Sequence, residues 1–182
     1  MKLNDLAGKR ILLLGFGKEG KSTLRYLKHF YPDSAVDTAD ENGNEHALDS
    51  QKDYDLAIRS PGVLPRKITI PYTTATNIFF ANTKGITIGV TGTKGKSTTS
   101  SLVYEILKRD GKPVNLGGNI GIPLLDLLLN EGPRDYYVCE LSSYQIEDLE
   151  YSPHIAVFLD FFPEHMDHHG SIEDYWKASQ GS

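Results

Sequence analysis

Cysteine is almost absent. The 182-residue chain holds one, Cys139, which excludes an internal disulfide framework. Cys139 falls in the run Tyr136 to Glu140, where a thiol reads as a buried structural group rather than a reactive one. Long hydrophobic runs are missing too. None reaches the roughly 18 residues of a membrane span. The N-terminus, MKLNDLAGKR, lacks the apolar stretch and small-residue site of a cleavable signal. A soluble, cytoplasmic protein with no membrane partner is expected. No basic run appears, and the net charge is −5. A nucleic-acid binder would carry a basic face, so that class is set aside. No fixed-period repeat and no low-complexity segment occurs.

What is present is organised around Ile86 to Leu107, ITIGVTGTKGKSTTSSLVYEIL. The run Ile86, Ile88, Val90 reads as a strand, and Leu102, Val103, Ile106 and Leu107 belong to a helix. Between them lies the loop Gly92, Thr93, Lys94, Gly95, Lys96, Ser97, Thr98. Glycines let backbone N–H groups turn inward, and a helix start adds free donors and the positive end of its dipole. Together these make a phosphate cradle. Lys96 is placed to reach the β- and γ-phosphates, and the Ser97 hydroxyl to sit on Mg²⁺. The strict pattern G-x-x-x-x-G-K-[ST] requires glycine at position 90; Val90 stands there, flanked by Gly89 and Gly92, so the loop is a variant.

A second glycine turn opens the chain. Ile11 to Leu14 is a buried-type strand, Gly15, Gly17 and Gly20 give G-x-G-x-x-G, and a helix is expected over Ser22 to His29. This is a Rossmann-like βα turn, with a diphosphate at the helix start. Val36-Asp37-Thr38 is expected to end the second strand. Asp37 is either a ribose or uracil contact or a solvated loop aspartate. A third strand, Asp55 to Ile58, ends in Arg59-Ser60-Pro61-Gly62, which is either a plain turn or a ligand-binding strand edge. Ile68 to Asn82 reads as a connection, and Thr83-Lys84-Gly85 as a linker with a domain boundary near Lys84.

Farther on come a turn and short strand (Gly111 to Leu116), a glycine loop (Gly117 to Gly121), a leucine-rich helix (Pro123 to Leu129) and a strand (Tyr136 to Glu140). Glu140, at a strand end beside the glycine-loop strand, is a candidate Mg²⁺ ligand, directly or through water; otherwise it is a surface glutamate. The strand Pro153 to Leu159 leads into Asp160 to His169, a segment with three histidines and three acids. Zinc is one reading of that cluster; a carboxylate-rich phosphate site with one histidine near Mg²⁺ fits better beside a phosphate loop. Ser171 is expected to cap a helix through Tyr175 and Trp176. The fold expected is α/β, two successive nucleotide-type units. The second, 85–182, is a P-loop ATPase-type domain with a mostly parallel sheet, and the first, 1–84, is Rossmann-like.

Four motifs occur in one order: TGTKGKST (Thr91 to Thr98), GGNIG (Gly117 to Gly121), ELSSYQ (Glu140 to Gln145) and EHMDHHGS (Glu164 to Ser171). In these the chain resembles the Mur ligases, which add amino acids to a UDP-sugar in peptidoglycan synthesis. GFGKEGKS and the Ser60 to Gly62 tripeptide look most like the D-glutamate-adding branch. The resemblance implies ATP and Mg²⁺ as cofactors, UDP-N-acetylmuramoyl-L-alanine and D-glutamate as substrates, and a monomer. It implies Lys96, His165 and Asn119 as catalytic residues, and Ser97, Glu140 and His165 on the metal. Asn119 and Ser142 would contact the UDP-sugar near its reacting end. Gly15, Phe16, Gly17, Asp37, Thr38, Ser60, Pro61 and Gly62 would cradle the UDP part. The implied chemistry is amide ligation through an acyl phosphate.

The family also has a third, C-terminal domain and a longer central one. It carries a carbamylated lysine four residues after the tyrosine that matches Tyr175, where Ser179 stands here. Lys177 is two residues early, about 200° away around a helix. The expectation is therefore a ligase fragment that does not complete ligation by itself. A non-catalytic UDP-sugar-binding module and another amino-acid-adding member of the family are the alternatives.

Overall fold

The computed structural model describes residues 6–40, 51–132 and 134–160. They divide into two compact units, residues 1–82 and 83–182.

In the first unit, strand β1 (Arg10–Leu14) is four buried aliphatics behind one exposed arginine. Helix α1 (Lys18–Phe30) follows after Gly17, four residues earlier than the sequence suggests. The reason is that Gly17, in an extended conformation, is itself the N-cap, so Lys18 to Lys21 form the first turn rather than loop. Strand β2 (Ala35–Ala39) runs past Thr38, because buried Ala39 continues the ladder against Leu14. Strand β3 is Leu56–Arg59. The stretch read as a connection contains strand β4 (Tyr72–Thr74) and helix α2 (Ala75–Asn82). Thr74 Oγ1 starts that helix by accepting the Asn77 N–H at 3.1 Å.

The sheet order is β2-β1-β3-β4, all parallel. Strand β1 has β2 on one side and β3 on the other, so its carboxyl end is a topological switch point. One face buries Leu12, Leu14, Ala39, Ala57 and Val63, with Tyr54, Ile68, Ile70 and Tyr72 packed on them. Residues of opposite parity, Ile11, Leu13 and Ile58, are buried as well. Burial on both faces explains why β1 reads as a continuous apolar run.

The second unit begins at a carboxylate. Glu131 Oε1 accepts the Thr83 hydroxyl and the N–H groups of Lys84 and Gly85, which fixes the entry to β5 (Ile86–Thr91). Helix α3 (Lys96–Arg109), β6 (Val114–Gly118), α4 (Leu124–Leu128), β7 (Tyr136–Glu140), α5 (Ser143–Ile146) and β8 (Ile155–Phe158) follow. Strand β6 takes in Gly117 and Gly118, expected in a loop, because they pair with Cys139 and Glu140. The order is β6-β7-β5-β8, again all parallel. Ile88, Val90 and Val138 form the core here, covered by Val103, Tyr104 and Leu107 of α3. The α/β class with parallel sheets is therefore as the sequence leads one to expect. No helix among the described residues is long and apolar enough to cross a membrane.

Candidate functional site

The loop from β5 to α3 is built on two left-handed glycines. Gly92 has φ +137° and Gly95, the N-cap of α3, has φ +81°. A Cβ on Gly92 would stand 2.7 Å from the Leu159 Cβ, so the loop passes close to the end of β8. The Thr93 N–H donates to the Asp160 carbonyl at 2.8 Å. Lys96 is the first residue of α3. Its Nζ turns back to donate to the carbonyls of Gly92 (2.8 Å) and Thr93 (3.0 Å). Ser97 and Thr98 are exposed in the first turn, as is Lys94 in the loop. The helix start carries its orphan N–H groups on this side.

Beside the loop lies a buried carboxylate. Glu140 ends β7, in register with Val90 of β5, and it is fully buried. It is not a surface glutamate. Its Oε1 accepts the Asn119 side-chain N–H at 2.8 Å, and its Oε2 has no hydrogen-bond partner among the described residues. The backbone reinforces the pairing, because the Asn119 N–H donates to the Glu140 carbonyl at 2.8 Å. Gly118 (φ +103°) makes it possible, since any Cβ there would collide with that carbonyl. An acid buried with one oxygen open is costly unless something balances its charge. Ser142, two residues on, caps the short α5: its N–H and Oγ donate to Gln145 Oε1 at 3.0 and 3.2 Å. Among the described residues no group of three or more His, Cys, Asp and Glu side chains gathers. His165, the EHMDHHGS motif, Tyr175, Lys177 and Ser179 lie outside the described residues.

The first unit gathers a second set of residues at the carboxyl ends of β1 and β3. Gly15 (φ +85°) receives the Ser60 hydroxyl on its carbonyl at 3.0 Å, and the Ser60 N–H donates to Leu14 at 2.8 Å. Phe16 and Gly17 lead into α1. Gly20 lets that helix approach, because a Cβ there would meet the Gly15 carbonyl. Pro61 and Gly62 form a turn closed by the Val63 N–H donating to the Ser60 carbonyl at 3.0 Å. Asp37 and Thr38 sit inside β2 rather than at its end. The Asp37 carboxylate accepts the Tyr54 hydroxyl at 3.0 Å. Burial first, and then Asp37, push that hydroxyl's pKa up. Sequence reasoning passed over Tyr54 here, and also Arg59, which β3 buries beneath the turn. The available signal for Arg59 was a lone cation closing an apolar strand.

Residues 90–180, half of the chain, match the model of the Mur ligase middle domain. The chain belongs to the Mur ligase family. The match takes in the loop from Val90, Asn119, Glu140 and His165. A UDP-N-acetylmuramoyl-L-alanine--L-glutamate ligase of Salinispora tropica is 36% identical, over 97% of this chain and 44% of its own length. A UDP-N-acetylmuramoylalanine--D-glutamate ligase of Exiguobacterium sibiricum is 32% identical, over 98% of this chain and 45% of its own. A UDP-N-acetylmuramoyl-L-alanine--L-glutamate ligase of Xylella fastidiosa is 33% identical, over 96% and 44%. This Mur ligase chain thus spans less than half the length of these relatives.

Proposed function

We infer that this chain carries the nucleotide-handling part of an ATP-dependent ligase. The enzyme joins glutamate to UDP-N-acetylmuramoyl-L-alanine in the cytoplasm. The observation that carries the reading is the buried Glu140 carboxylate, with one oxygen held by Asn119 and the other open, at the strand end beside the glycine loop. That open oxygen fits a hard cation. Ser97 and Glu140, with His165 by family resemblance, would hold Mg²⁺, which when bound offsets charge on the phosphates.

The rest falls to the chain's own groups. Gly92 to Thr98 cradle the ATP phosphates, and Lys96 exchanges two carbonyl acceptors for phosphate oxygens, a stronger charge-assisted contact. The alanine carboxylate of the UDP-sugar attacks the γ-phosphorus and ADP leaves, which gives an acyl phosphate. The glutamate amine then attacks the acyl carbon, phosphate departs, and the amine's proton is lost to leave the amide. Lys96 stabilises the transferring phosphoryl group, and Asn119 and Ser142 hold the reacting end of the sugar. The contribution is positioning and electrostatics. The UDP part rests on Gly15 to Gly17, Asp37, Thr38 and Ser60 to Gly62.

The test on this chain is calorimetric titration of ATP with and without Mg²⁺, and of UDP. Binding of both, with ATP tightened by Mg²⁺, is expected; binding of neither overturns the reading. The sequence motifs point to D-glutamate, whereas the Salinispora relative is named for the L form. Phosphate release by the full-length enzyme with each enantiomer separates the two.

A further inference from the structure

Arg59 ends β3 with about 1% of its surface exposed. An arginine so deeply placed is rare unless its donors are used. Its Nη1 donates to the Val63 carbonyl at 2.7 Å and reaches the Pro61 carbonyl at 3.4 Å. Both acceptors belong to the turn that the side chain sits beneath. The same turn is tied to the glycine loop, because Ser60 donates through its hydroxyl to Gly15 and through its N–H to Leu14. One guanidinium therefore fixes the turn, and through Ser60 the turn fixes the loop.

The row of the sheet at this level runs Ala39, Leu14, Arg59, Thr74. It is the last paired row before the loops, at the switch point where open parallel sheets bind ligands. Arg59 shares its sheet face with Leu12, Leu14, Ala57 and Val63. An aliphatic side chain there would pack without the desolvation that a guanidinium suffers.

We propose that Arg59 is a positioning residue for the nucleoside diphosphate. It draws the carbonyls of Pro61 and Val63 inward, which sets the outer face of Ser60-Pro61-Gly62 and the Gly15 loop as the ligand meets them. This rests on the UDP-binding reading above and adds to it a residue that does not itself touch the ligand.

UDP is titrated into the 182-residue chain as wild type, Arg59→Lys and Arg59→Met, with a circular dichroism spectrum and melting curve for each. Lysine keeps a donor beneath the turn, and methionine keeps only the bulk. The lysine variant is expected to bind within about threefold of wild type, and the methionine variant about tenfold or more weakly with a native spectrum. If the methionine variant does not fold, the wild type decides. The Arg59 side-chain N–H resonances, identified by their loss in Arg59→Lys, are expected to shift at saturating UDP. Three results overturn the proposal: wild-type affinity in Arg59→Met, equal loss in both variants, or unshifted resonances at saturation. A wild type with no affinity for UDP removes the UDP reading itself, and this proposal with it.

Discussion

The metal role proposed for Glu140 sets stability against function in a single side chain. Full burial of its carboxylate, with Asn119 on one oxygen only, costs folding energy that the cation would offset. Glu140→Gln keeps the shape and a hydrogen-bond acceptor for Asn119 while it removes the charge. A neutral isostere no longer carries the desolvation cost of an uncompensated buried charge. The expected outcome is a melting temperature equal to or above wild type, with ATP affinity that no longer responds to Mg²⁺. Melting curves together with ATP titrations in Mg²⁺ and in EDTA check it. A variant that melts earlier and still responds to Mg²⁺ would show that the carboxylate is a structural group.

At the scale of elements, α1 is set by a helix glycine. Gly20 lies against the Gly15 carbonyl with no room for a methyl group. Gly20→Ala must push α1 off the strand it packs on, so it destabilises despite alanine's better helix propensity. A loss of about 2 kcal/mol is expected, which lowers the melting temperature of a unit this size by roughly 10 °C. An unchanged or raised melting temperature would mean that the helix has slack.

Local chemistry of this kind is what the sequence displays well. The run ILLL and the loop GTKGKS hold their meaning in consecutive residues, so β1, β5 and the glycine loop into α3 were legible. Strand β4 and helix α2 were not, because YTTATNIFFAN has neither a clean period of two nor an apolar stripe. Gly17 and the pair Gly117-Gly118 read as loop, yet one caps α1 and the others extend β6, since glycine carries no preference of its own. Arg59 stood out as a lone cation closing an apolar strand, but its partners were illegible for a different reason. Its role depends on where two carbonyls of a later turn point, which only the folded chain decides.

Across the whole molecule, β7 gives the second unit a ceiling in pH. Burial pushes the Cys139 thiol well above its usual range. Burial, with Glu131 and Asp135 nearby, does the same to the Tyr137 hydroxyl, which donates to Asp135 at 3.2 Å. Both groups stay protonated when folded and ionise more readily when unfolded. Their stabilisation is complete below the unfolded values, near pH 8.5 for the thiol and 10 for the phenol, and declines above them. Each group contributes a slope of roughly 1 kcal/mol per pH unit once past its unfolded value. Urea melts from pH 7 to 11 should weaken in two stages, and Cys139→Ala should remove the first. A thiol reagent at pH 8 should leave folded Cys139 unmodified.

The residues proposed for the UDP part and those proposed for the ATP phosphates lie in separate units. Gly15 to Gly62 lie wholly in residues 1–82, and Gly92 to Thr98 wholly in 83–182. Each unit has its own parallel sheet and its own glycine loop. Lys96→Ala removes a point charge while its two carbonyl partners, only partly buried, turn to water. It is expected to lower ATP affinity at least about tenfold, the size of a lost charge-assisted contact, and to leave UDP affinity and the dichroism spectrum unchanged. Gly20→Ala is expected to do the reverse: UDP binding weakens as α1 moves away from Gly15, and ATP binding holds. Both ligands titrated into both variants give four affinities. A variant that lost both ligands with its fold intact would mean that the two cradles are one site, and the assignment of UDP to the first unit and ATP to the second would fall with it.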